Sequence, residues 1–167
     1  MKTKIFCDIA DFKIIKFFNK KSFVDGFTTN PSLMRQAGAK NYKDYCLRIL
    51  KVCKNKPVSF EVFADDSKEM LKQAYNINTW GKNVYVKIPV VNSKGLFMGS
   101  VIKELSDKNI KLNITAVYNY EQTKKIYKKL NKKTKSIISI FAGRMADKGK
   151  DPLPIFKKSI SLTKKNK

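Results

Sequence analysis

The chain has 167 residues, 43% of them hydrophobic, which is enough apolar material for a packed core and argues against wholesale disorder. Its 36 Lys and Arg against 13 Asp and Glu give a net charge of +23, yet the lysines are scattered along the chain, and lysine far outnumbers arginine. Histidine is absent and the three cysteines lack CxxC spacing, so His-dependent triads and His/Cys zinc sites are excluded, and specific nucleic-acid binding is not expected.

The elements read as short β-rich runs alternating with amphipathic stretches. KIFCD forms a first strand ending at Asp8, and a helix follows from about Phe12 to Lys20. The apolar start meets an acidic residue too soon for a signal peptide, and no run approaches the roughly 20 residues of a membrane span. A cytoplasmic protein with no membrane partner is expected. SFVDGFTT forms a second strand, after which Asn30 and Pro31 fit the cap and first position of a helix. A longer helix covers about 41–55. PVSFEVFA is the third strand, and Asp65, Asp66 and Ser67 offer caps for a helix to about Tyr75 or beyond.

NVYVKIPV is the fourth strand, followed by a turn at Gly95 and a helix to about Ser106. IKLNITAV is the fifth, followed by a helix from about Tyr120 to Leu130. KSIISIFAG is the sixth. After a loop, DPLPIFKKSISLTKK reads as a helix capped by Asp151 with Pro152 in its first turn. Six strand–helix units in strict alternation predict a parallel α/β sheet, either doubly wound or of the (β/α)8 TIM-barrel type. Neither GxGxxG nor GxxxxGK[ST] occurs, so the nucleotide-binding version lacks its fingerprint. Nothing divides the chain, and residues 1–167 are read as a single, incomplete barrel domain.

Polar residues recur at or near strand ends: Asp8, Asn30, Glu61, Lys87, Asn113, Thr115 and Arg144. In a β/α barrel such ends carry the chemistry. Lys87 interrupts the apolar run VYVKIPVV. It is either a stem that snorkels to solvent or a shielded amine; burial disfavours a charged amine, and a neutral one is a nucleophile for ketones. Asp8 is a helix cap or a proton acceptor, and Glu61 an ion-pair member or a second acid–base group. Arg144 is a surface cation or a phosphate clamp.

Six segments in order resemble the transaldolase family, including its short group with fructose-6-phosphate aldolase. They are FCDIAD, GFTTNPSL, FEVFAD, VYVKIPV, LNITAVY and SIFAGRMAD. The resemblance implies a (β/α)8 barrel of which this chain carries about six β/α units. It implies that Lys87 forms a Schiff base with a ketose phosphate and that Asp8 takes the C4 hydroxyl proton. Glu61 would act through a water. Asn30, Asn113 and Ser139 would hold donor hydroxyls, Thr115 would position the water, and Arg144 would bind phosphate. Glu61 and Phe141 match transaldolases, where the aldolase carries glutamine and tyrosine. No metal or other cofactor is implied. Sugar phosphates are the expected partners, and a homo-oligomer is expected at full length. The alternatives are fructose-6-phosphate aldolase and an inactive truncated barrel.

Overall fold

The computed structural model describes residues 3–164. The elements run β1 (Phe6–Asp8), α1 (Phe12–Asn19), β2 (Gly26–Thr28), α2 (Pro31–Gln36), α3 (Tyr42–Val52), β3 (Val58–Glu61) and α4 (Ser67–Asn78). There follow β4 (Val84–Pro89), α5 (Gly99–Asp107), β5 (Leu112–Val117), α6 (Tyr120–Lys129), β6 (Ser136–Ile140), α7 (Ala142–Ala146) and α8 (Leu153–Lys164). The strands are hydrogen-bonded in the order β1-β2-β3-β4-β5-β6. A doubly wound sheet reverses its strand order at a switch point, and this order never reverses. The fold is therefore α/β of the TIM-barrel type, with six of its β/α units.

The chain divides into two compact units, Met1–Phe63 with Lys72–Val86, and Ala64–Leu71 with Lys87–Lys167. In the first unit β1 pairs parallel with β2, and β2 with β3. Its core holds Ile15, Phe27, Met34, Ile49, Val58 and Phe60, all essentially inaccessible. Gly26 is required where β2 passes β1 and β3, because a Cβ there would lie 2.4 Å from the Phe6 ring and 2.8 Å from the Pro57 carbonyl. Cys46 and Cys53 are buried and Cys7 is half-buried, all as free thiols, and burial pushes the Cys53 thiol up to about 11.

In the second unit β5 pairs parallel with β6. The core is built from Ile88, Ile102, Leu105, Leu112, Ile114 and Ile126. Ser136, Ile138 and Ile140 of β6 face α6 and α8 across a groove of about 650 Å³. By strand alternation, Ile137 and Ser139 project from the opposite face. Among the described residues, no helix is long and apolar enough to cross a membrane.

Short polar side chains start several helices, Asn30 as the sequence predicts, whereas α5 and α7 follow Met98 and Phe141 with no side-chain cap. Asp11 caps α1, Asn30 caps α2, Asn41 caps α3, and Asn119 forms a capping box with Gln122 at α6. Several boundaries differ from the sequence reading, the third strand among them, which stops at Glu61. Only Gly26–Thr28 of SFVDGFTT is strand, because the preceding residues turn, with the Val24 N–H bonded to the Lys21 carbonyl. The helix expected over 41–55 starts after Asn41 and stops at Val52. FAG leaves β6 and enters α7, an element the sequence reading took as strand end and loop. Pro152 precedes α8, its carbonyl accepting the first helical bonds, and Pro154 occupies the first turn.

Candidate active site

In the first unit, three strands carry polar groups to their C-terminal ends. Asp8 ends β1 and is exposed, in register with Thr28. The Thr28 hydroxyl donates to Asp8 Oδ1 at 2.7 Å, a contact between neighbouring strand ends that sequence reading did not single out. The next residue, Thr29, is buried and donates to the Ser59 carbonyl at 3.0 Å. Asn30 follows, and its Oδ1 accepts the Leu33 N–H at 2.8 Å. The cap therefore occupies the carbonyl end of this amide, and what Asn30 can offer a hydroxylated ligand is its Nδ2 donor. Glu61 ends β3, half-buried. Its backbone N–H and carbonyl are both bonded to the Tyr42 hydroxyl, at 3.0 and 2.9 Å.

In the second unit, the polar groups lie deeper. Lys87 sits in β4 between Val86 and Ile88, both fully buried, and is itself only 6% exposed. Such low exposure leaves little of the side chain in contact with water. Asn113, 1% exposed, accepts a hydrogen bond from the Ser139 hydroxyl at 2.7 Å. That bond fixes the amide with its carbonyl toward β6. The register that sets Asn113 beside Ile137 puts Ser139 two residues further along the same face.

Thr115 is 2% exposed, and its hydroxyl is buried without a hydrogen-bond partner among the described residues. Leaving such a group unpaired costs about 1–3 kcal/mol, which marks a place for a water or a ligand hydroxyl. The backbone is distorted there as well. Ala116 has φ +58°, and the β5–β6 register shifts between Ile114 and Val117. A left-handed alanine is strained, and bulges commonly re-aim side chains beside functional sites. The Thr115 carbonyl still holds the Val90 N–H, at 2.9 Å, so β4 stays tied to the bulge.

Phe141 follows β6, its ring set edge-on to Tyr118 with centroids 5.6 Å apart. Arg144 lies one turn on in α7, exposed, its guanidinium 5.4 Å from the Phe141 ring centroid. An exposed guanidinium steadied on an aromatic ring is suited to a phosphate. Among the described residues, no group of three or more His, Cys, Asp or Glu side chains is arranged to hold a metal ion.

The profile of the Transaldolase/Fructose-6-phosphate aldolase family matches residues 5–167. The chain belongs to this family. A "Probable transaldolase" of Herpetosiphon aurantiacus is 32% identical over 161 residues, covering 96% of this chain and 68% of that protein. One of Dehalococcoides mccartyi is 34% identical over 161 residues, covering 96% and 71%. One of Thermoplasma volcanium is 37% identical over 154 residues, covering 91% and 65%. In this family member the six recognised segments fall on β1, on β2 with the start of α2, on β3, on β4, on β5, and on β6 with α7. Sequence reading thus found the strand ends but missed Thr28, the Tyr42 hydroxyl, the Ala116 bulge and α7. Thr28 had a signal, standing in TTNPS beside a strand that ends in aspartate. The others depend on partners distant in the chain or on backbone geometry.

Proposed function

We propose that this chain is a class I transaldolase, moving a dihydroxyacetone unit between sugar phosphates through a Schiff base on Lys87. The observation that carries this reading is the burial of Lys87 within an apolar parallel strand, in a unit that also holds the Asn113–Ser139 pair and a Thr115 hydroxyl with no partner among the described residues.

In this mechanism the Lys87 amine attacks the C2 ketone of fructose 6-phosphate or sedoheptulose 7-phosphate, and the carbinolamine loses water to give an iminium. Asp8 takes the C4 hydroxyl proton. The C3–C4 bond breaks, its electron pair moves into the iminium, and an aldose phosphate leaves. The enamine that remains on Lys87 adds to the aldehyde of an acceptor, erythrose 4-phosphate or glyceraldehyde 3-phosphate. Water then hydrolyses the new imine and frees the amine. Glu61 moves protons through a water during imine formation and hydrolysis, Thr115 holds that water, and Asn30, Asn113 and Ser139 bind donor hydroxyls. Arg144 takes the phosphate. The electron sink is the iminium itself, so the chemistry calls for no metal or organic cofactor. Such exchanges belong to the pentose phosphate pathway of the cytoplasm.

Glu61 and Phe141 favour transfer over simple aldol cleavage, since the family's aldolase carries glutamine and tyrosine at these places. Phe141→Tyr is expected to raise the release of free dihydroxyacetone in the absence of acceptor. The reading as a whole is tested by borohydride reduction in the presence of fructose 6-phosphate. The three-carbon unit should be found on Lys87 by mass spectrometry; folded, substrate-exposed protein with an unmodified Lys87 would count decisively against it.

A further inference from the structure

Tyr42 opens α3, directly after the Asn41 cap. Its hydroxyl accepts the Glu61 N–H at 3.0 Å and donates to the Glu61 carbonyl at 2.9 Å. A single phenol therefore binds both backbone polar groups of the residue that ends β3. Two residues on, the Phe63 N–H is held by Gln73 Oε1 at 2.7 Å. The chain leaving β3 is pinned by side chains at 61 and again at 63, across a stretch where the strand itself has ended.

The Tyr42 ring is wedged in an aromatic cluster. Its centroid is 4.5 Å from that of Phe63, edge-on, and 6.1 Å from that of Trp80. Burial, aided by the neighbouring Cys46, pushes the hydroxyl far above its ordinary range. It stays an O–H across the whole working pH range, able to donate and accept together, which the double contact demands.

We propose that Tyr42 is a positioning residue for Glu61: it fixes the backbone at the end of β3 and thereby the direction from which the Glu61 carboxyl reaches its water. This role rests on the transaldolase reading, because it gives Glu61 something to be aimed at. Proton transfer through a water depends steeply on alignment, so a loosened backbone at position 61 costs rate in the imine steps rather than ground-state sugar binding.

The test compares the whole wild-type chain with Tyr42→Phe, with a replacement of Tyr42 by para-aminophenylalanine, and with Asn83→Ala. The amino analogue keeps a donor on the same ring. Asn83 donates to the Cys53 and Lys56 carbonyls at 2.5 and 2.7 Å, ahead of β4, so its loss removes two bonds of the same unit without touching β3's end. With fructose 6-phosphate and erythrose 4-phosphate, Tyr42→Phe should lower kcat by on the order of ten- to a hundredfold and leave KM within about threefold. The acid limb of its pH–rate profile should shift, and the Glu61 amide should exchange its hydrogen roughly tenfold faster or more. The amino analogue should fall between wild type and Phe, and it carries the comparison if the Phe variant does not fold. Asn83→Ala should lose thermal stability and keep kcat.

Wild-type kcat in Tyr42→Phe, or an equal fall in Asn83→Ala, overturns the positioning role while the transaldolase reading stands. An unchanged Glu61 amide exchange rate in Tyr42→Phe overturns it too. Failure of the wild type to trap fructose 6-phosphate on Lys87 overturns the reading and the positioning role together.

Discussion

The two units handle polar groups at their strand ends in opposite ways. In the first, Asp8 is exposed and Glu61 half-buried, and the groups around them are tied down by their own structure: Thr28 on Asp8, the Leu33 amide on Asn30, Tyr42 on the Glu61 backbone. In the second, Lys87, Asn113 and Thr115 are nearly inaccessible, one hydroxyl has no partner among the described residues, and the strand beside it is bent through a left-handed alanine. Carboxylates within reach of solvent can exchange protons with water. A buried amine and an unpaired hydroxyl lower stability, and folds retain such groups where they have work to do. In the mechanism proposed above, proton transfer falls to residues of the first unit and covalent chemistry to a residue of the second.

The largest break in that contrast comes from the amine. Lys87→Met should abolish borohydride trapping of fructose 6-phosphate altogether while circular dichroism stays that of the wild type. Label retained on another lysine of the variant would place the covalent chemistry elsewhere. Next in size is Asp8→Asn, which keeps an acceptor for Thr28 but loses the base. Its kcat should fall by on the order of 10²–10⁴, with an imine on Lys87 still trappable. If the variant forms no imine, Asp8 is acting at a different step.

A matched pair of threonines sharpens the comparison at a smaller scale. Thr115→Val removes a hydroxyl that has no partner, so thermal or urea unfolding should show a gain of about 1 kcal/mol, with trapping slowed roughly tenfold. Thr29→Val removes a hydroxyl bonded to the Ser59 carbonyl and should cost about 1 kcal/mol. Opposite signs support the contrast; equal losses would mean that the Thr115 hydroxyl is satisfied in solution.

The smallest effect is electrostatic. The Asp65 carboxylate accepts from the Ser93 hydroxyl at 2.6 Å and the Ser93 N–H at 2.7 Å, which hold its pKa below the ordinary 3.8. A depressed carboxyl stabilises the fold above its unfolded pKa, and the contribution fades as pH falls through the folded one. The Ser93 amide shift in NMR should therefore titrate with a midpoint below 3.8. A midpoint at or above that value would mean the loop contact does not persist in solution.

Much of this was legible in the chain alone. Alternating β and α runs, with Asp, Asn and Pro at helix starts, placed nearly every element, because capping and periodicity are local effects. The polar residues stood out against apolar strands, and Lys87 most of all. Boundaries were less legible. FAG has strand-like composition, yet it coils into α7 because the ladder with β5 ends at Ile140.

The order of residues settled the α/β alternation, the family resemblance and where the candidates stand along the chain, since strand periodicity, caps and motif spacing are written within short windows. Folding in three dimensions decided the surroundings of each candidate. It buried Lys87, left the Thr115 hydroxyl without a partner among the described residues, turned Ala116 left-handed, and brought Tyr42 onto Glu61 across 19 residues of chain. Those outcomes depend on distant segments packing against one another, and solvent exclusion and long-range hydrogen bonding do not exist until they have packed.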